Sequence, residues 1–123
     1  MTLKHIRLEL ARDHDFPNGS SDRGYEFIAP LNEDGHLIAD EWHAERARCR
    51  VKRFWGKEPA EIGLLVRRPG GSWAFDYDPS KSSDDEPGFK LDAHRLAPGE
   101  YVSFREQDGS TRTFLVTRVG DLD

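Results

Sequence analysis

The sequence predicts a mostly-β fold: a single domain over residues 1–123, built as a small barrel or two-layer sandwich of about eight or nine short strands with one short helix. Two observations lead there. Apolar residues recur with a period of two in most stretches of the chain, and clusters of Gly, Pro, Asn, Asp and Ser separate those stretches. A third, the length of 123 residues, suits one core and is too short for two. Of the two architectures a barrel is preferred, because closure removes exposed strand edges.

Leu3 to Arg12 alternates, with Ile6, Leu8 and Leu10 on one face and His5, Arg7 and Glu9 on the other, which is a half-buried strand. Residues 13–24 hold Pro17, Asn18-Gly19 and Gly24 and are expected to form a mobile surface loop. Tyr25, Phe27, Ala29 and Leu31 then share a face, and Asn32-Glu33-Asp34-Gly35 reads as a hairpin turn before His36-Leu37-Ile38. The one helix is expected from an Asp40 N-cap through Glu41 to Ala47.

From Ala47 to Phe54 the period returns to two, placing Ala47, Cys49 and Val51 opposite Arg46, Arg48, Arg50 and Lys52. Ile62 to Arg68 and Trp73 to Tyr77 form the clearest hairpin, turning at Pro69-Gly70-Gly71-Ser72, with Trp73, Phe75 and Tyr77 on a common face. Residues 78–88 are polar and lack periodic apolar residues, so a second mobile loop is expected there, followed by a short edge strand at Phe89 to Leu91. Glu100 to Glu106 and Thr111 to Val119 make a C-terminal hairpin.

Composition narrows the function classes. Leu, Ile, Val and Phe total 27 of 123 residues, about 22%, which lies just above the level of roughly 20% at which a highly charged chain stays disordered. Charged residues reach 33%. The single cysteine excludes an internal disulfide and any four-thiolate metal site from one chain. No apolar run of signal or membrane-spanning length occurs, so a cytoplasmic protein without a membrane role is expected. The net charge of −5 argues against coating nucleic acid through the overall field. The charge is uneven, however: residues 46–68 carry eight basic and two acidic side chains.

No Gly-x-x-x-x-Gly-Lys-Ser/Thr, Gly-x-Gly-x-x-Gly, His-Glu-x-x-His or Gly-x-Ser-x-Gly pattern occurs, which removes the recognisable nucleotide, zinc-protease and serine-hydrolase routes. No catalytic residue, cofactor or metal ligand is assigned. Cys49 reads as a small buried hydrophobe, and Asp13-His14-Asp15 as a solvated loop whose imidazole projects away from its carboxylates. Asp76 and Asp78, at i,i+2 on one strand face, together with His94, define an alternative pocket for a small ligand or a cation, gated by the 78–88 loop.

The leading candidate site is basic. Arg46, Arg48, Arg50 and Lys52 on one strand face, with Trp55 adjacent and Arg67 and Arg68 nearby in sequence, would space cations about 6.6 Å apart, two residues of roughly 3.3 Å each. Guanidiniums grip carboxylates and phosphates in a bidentate fork. An acidic protein patch or small anion is favoured over nucleic acid as the partner, given the negative total. In a further arrangement the acidic Asp84-Asp85-Glu86 loop of one copy meets the basic face of another in a homodimer.

At Gly24-Tyr25-Glu26-Phe27, Arg53-Phe54-Trp55, Ser72 to Tyr77 and Pro98 to Ser103 the chain resembles short bacterial proteins to which no activity is assigned. The likeness covers most of the chain. It implies a stand-alone bacterial cytoplasmic protein and carries over no ligand or site residue. The functional reading is thus a non-enzymatic binding or accessory module with an anionic partner; the alternative is a small ligand- or metal-binding barrel, as a carrier or as an enzyme.

Overall fold

A computed structural model describes residues 3–68, 71–77, 95–106 and 109–121. Their strands are β1 (Leu3–Leu10), β2 (Ser20–Pro30), β3 (Arg50–Trp55), β4 (Glu58–Arg67), β5 (Trp73–Asp76), β6 (Tyr101–Arg105) and β7 (Thr111–Asp121), with one helix, α1 (Ala39–Glu45). All seven strands form one antiparallel sheet in the order β5-β4-β3-β2-β1-β7-β6. The sheet curls into a half-barrel. Among the described residues its two ends come close without pairing: Phe75 on β5 and Phe104 on β6 lie 6.0 Å apart, centroid to centroid.

The alternation read from the sequence explains which side chains fill the curl. Ile6, Leu8, Tyr25, Phe27, Val51, Leu65, Phe75, Val102, Phe114 and Val116 all point inward and are buried. Tyr25 stands at the centre, its ring 5.1 to 5.2 Å from those of Phe75, Phe104 and Phe114. Trp42 of α1 packs edge-on against Trp73 at 5.2 Å and donates its indole N–H to the Leu65 carbonyl, so the helix covers the end of the sheet where β3 begins.

The strand count among the described residues is seven, below the eight or nine expected. His36-Leu37-Ile38 contributes only an isolated Leu31–Leu37 bridge, because the Asn32 side chain and carbonyl hold the turn tightly through Asp34, Gly35 and His36. The expected strand at Phe89 to Leu91 and the expected loop at 78–88 lie outside the described residues. The loop expected over 13–24 is shorter. Ser20 to Gly24 belong to β2, where β1 supplies partners at Leu10–Ser20 and Glu9–Gly24 and β3 pairs Trp55 with Arg23.

The helix begins at Ala39, after Ile38 in the N-cap position, and Asp40 lies in its first turn instead of capping it. Both Asp40 and Glu41 favour the positive end of the helix dipole. One expectation fails outright. Residues 46–48 form a 3-10 turn that carries α1 into β3, so strand periodicity starts only at Arg50 and Ala47 is exposed. The preceding helix turns the chain through Arg46 to Arg48, and pairing with β2 and β4 begins after Cys49.

Candidate functional site

The predicted basic patch divides between two faces of the sheet. On β3, Val51, Arg53 and Trp55 follow the inward parity, while Arg50, Lys52 and Phe54 point outward. Arg50 and Lys52 are exposed, and neither makes an ion pair with a described residue. They border a shallow depression of about 260 Å³ together with His5, Glu26, Ile28 and Ile62. Ile62, directly opposite Lys52 on β4, is 57% exposed, one of two large apolar side chains so open among the described residues.

Nearby charges on this face are already committed. Arg7 bonds Glu9 at 2.7 Å and also Glu26, and lies 4.4 Å over the Phe54 ring. His5 stands 3.5 Å from Glu26. Contacts with Glu9 and Glu26 outweigh the burial that opposes its charge and hold the Arg7 guanidinium protonated above its ordinary range.

Arg46 and Arg48 sit in the 3-10 turn, off the strand, so the expected row of four cations is a pair. Arg46 donates to the His43 carbonyl at 2.6 Å and Arg48 pairs with Glu45 at 3.2 Å, both at the protein surface. Arg67 follows the inward parity of Leu65 at the far end of β4, its guanidinium 5.7 Å from the Trp73 ring. Arg68 begins the β4–β5 turn, its amide bonded to the Ser72 carbonyl. Neither arginine shares a face and strand end with Trp55.

Trp55 instead marks a second cluster, which sequence reasoning missed. At the end of the curl covered by residues 11–19, the inward positions of four strands carry Arg23, Arg53, Glu106 and Arg112, the glutamate one residue beyond β6. Glu106 is 2% exposed; it accepts from Tyr25 Oη at 2.5 Å and Arg53 Nε at 3.1 Å, and lies 3.2 Å from Arg112 Nε. Arg112 also bonds Asp13 at 2.8 Å and Asp15 at 3.2 Å. The Asp13-His14-Asp15 segment is therefore tied to β7 by its two carboxylates. Phe16 continues this cover, meeting Trp55 edge-on at 6.1 Å.

Burial opposes the charge on Arg53, but Tyr25 and Glu106 outweigh it and raise its pKa; Asp13, Asp15 and Glu106 do the same for Arg112. The available sequence signal was parity: Arg23 precedes Tyr25 by two residues, Arg53 follows Val51, Glu106 follows Phe104 and Arg112 precedes Phe114. Each extends an apolar face with a charge.

Of the alternative pocket, Asp78 and His94 lie outside the described residues. Asp76 faces outward opposite Leu64, and its Oδ1 is buried without a hydrogen-bond partner. No group of three His, Cys, Asp or Glu side chains among the described residues is placed to hold a metal ion. Cys49 is fully buried, and that burial, followed by the charge of Glu45, pushes its thiol up to about 11. It is a packing residue, not an activated nucleophile. No described helix is long and apolar enough to cross a membrane. Compared with protein-family models, curated proteins and solved structures, the chain matches none.

Proposed function

We propose that this chain is a non-enzymatic binding module that holds an anionic partner, an acidic protein segment in preference to nucleic acid, on the outer face of β3. One observation carries the reading: Arg50 and Lys52 are exposed cations with no carboxylate partner among the described residues, beside an exposed Ile62. Arg7, Arg53 and Arg112 are by contrast occupied within the fold. Two cations at i,i+2 on a strand match carboxylates at i,i+2 on an extended peptide, and Ile62 with Ile28 offers apolar contact between them. Arg46 and Arg48 stand at the entry to β3 and extend the positive field. Glu26 on the same floor, and the net charge of −5, weigh against a polyphosphate chain.

The test is fluorescence anisotropy with a labelled Glu-rich peptide and a single-stranded oligonucleotide of equal charge, across a salt series. The native chain should bind the peptide more tightly, with affinity falling as salt rises. The Arg50→Glu/Lys52→Glu variant should lose binding while keeping its melting temperature. Equal binding by both proteins would refute the proposal. A second reading, a small-ligand or cation pocket at Asp76, draws support from its unpartnered buried oxygen. It requires that Asp76→Asn abolish binding of an ion or small molecule detected by native mass spectrometry.

A further inference from the structure

The geometry points to a separate small-molecule site at the mouth of the half-barrel, in which Arg23 takes the carboxylate of a compact organic acid, Lys57 stands at the rim and Trp55 forms the apolar wall. Arginines gather around the Phe16–Trp55 pair. The guanidinium carbon of Arg53 lies 4.4 Å from the Trp55 centroid, that of Arg112 5.4 Å from it, and that of Arg23 4.4 Å from the Phe16 centroid. Arg53 and Arg112 are matched by carboxylates of the chain itself, Glu106 and Asp13 among them.

Arg23 is the exception. Its Nη1 donates to Ser20 Oγ at 3.1 Å, but its Nε is buried with no acceptor, and it forms no ion pair with a described residue. With no described carboxylate against it, the Arg23 guanidinium keeps its charge for an incoming anion. Nη2, beside Gly56, is the nitrogen left to donate to an incoming carboxylate oxygen, since Nη1 is taken by Ser20 and Nε is enclosed.

The turn between β3 and β4 is shaped around this group. Gly56 has φ +61°, and its amide donates to the Asp22 carbonyl at 2.8 Å. A Cβ there would stand 2.9 Å from Arg23 Nη2, so glycine satisfies the backbone and also leaves room beside the guanidinium. An open depression of about 610 Å³ lies at this point, bordered by Asp22, Arg23, Trp55, Gly56, Lys57 and Glu58.

The chemistry favours a monoanion. Asp22 and Glu58 on the border offset Arg23 and Lys57, so a doubly charged phosphate would meet more repulsion than one carboxylate does. Neighbouring Arg53 and Arg112 already bind carboxylates at the same end of the curl. An aromatic or branched body would pack against the Trp55 indole.

The test is a two-dimensional amide and indole NMR titration with benzoate, acetate and inorganic phosphate as probes. Benzoate should produce saturable shifts at the Trp55 indole, Gly56 and Lys57, with acetate weaker for want of the ring and phosphate weaker still. Arg23→Gln should weaken benzoate about tenfold or more, the loss of one charge-assisted contact. Lys57→Gln, at the exposed rim, should weaken it a few-fold with an unchanged spectrum elsewhere, which keeps the test decisive if Arg23→Gln perturbs the fold. No saturation by about 50 mM, beyond the millimolar range expected for a fragment, would overturn the site. So would unaltered affinity in both the Lys57 variant and a folded Arg23 variant, or tighter binding of phosphate than of benzoate. Because none of these residues lies on the outer face of β3, this outcome is independent of the peptide test.

Discussion

Glu106 is the one buried charged side chain among the described residues, and it is held by a tyrosine and two arginines from three other strands. Removing one partner of a buried ion pair leaves an uncompensated charge, so Glu106→Gln should destabilise the fold by roughly 3 kcal/mol, measured by urea unfolding. A loss below about 0.5 kcal/mol, the range of an ordinary surface change, would mean that water solvates Arg53 and Arg112 in place of the carboxylate. The inward parity of Glu106 was legible from Val102 and Phe104, but its partners were not, since Tyr25 and Arg53 are 81 and 53 residues away in sequence. Cys49, by contrast, was read correctly as buried from its apolar neighbours. Its thiol, raised from 9.0 to about 11, must remain protonated in the folded state while the unfolded chain releases the proton earlier. Its contribution is therefore complete below pH 9 and is lost as pH climbs from 9 to about 11. At pH 8 an alkylating reagent should modify Cys49 far more slowly in the native protein than in urea. Equal rates would contradict the burial.

At the scale of elements, strands defined by alternation were easiest to read, and the junctions between them hardest. The β4–β5 hairpin follows the predicted turn, with Gly71 bonded back to Arg68 and Leu65 facing Phe75. The hairpin also depends on Gly63, where an added Cβ would lie 2.2 Å from the Asp76 carbonyl oxygen. That atom is backbone, which cannot rotate aside, so Gly63→Ala should cost about 2 kcal/mol or more through forced separation of β4 and β5. An unchanged unfolding midpoint would show that the strands part without cost. The entry to β3 was misread because Arg46, Arg48, Arg50 and Lys52 alternate in sequence whichever backbone carries them. The 3-10 turn is set by its attachment to α1, and local periodicity has no way to register that. Trp55, read from the sequence only as adjacent to the basic residues, shares the inward face of Val51 and Arg53.

Across the whole molecule, β1 lies between β2 and β7, so the first strand of the fold pairs with the last, Lys4 opposite Asp121. That pairing makes the curl, and it joins segments whose sequences hold no mutual signal beyond alternation. The mostly-β class was therefore legible, while the open half-barrel and its strand order were not. Curling also sorts the charges: at the mouth the inward Arg53 and Arg112 are matched by Glu106 and Asp13, while Arg23 there and Arg50 and Lys52 on the convex side meet no described carboxylate. The assignment of acidic-peptide binding to that convex side is tested most directly by an NMR titration of the native chain with the Glu-rich peptide. The amides of Arg50, Lys52 and Ile62 should shift together and saturate, with Arg53, Gly56 and the Trp55 indole unmoved. Shifts centred on the mouth residues, or none at any peptide concentration, would contradict it.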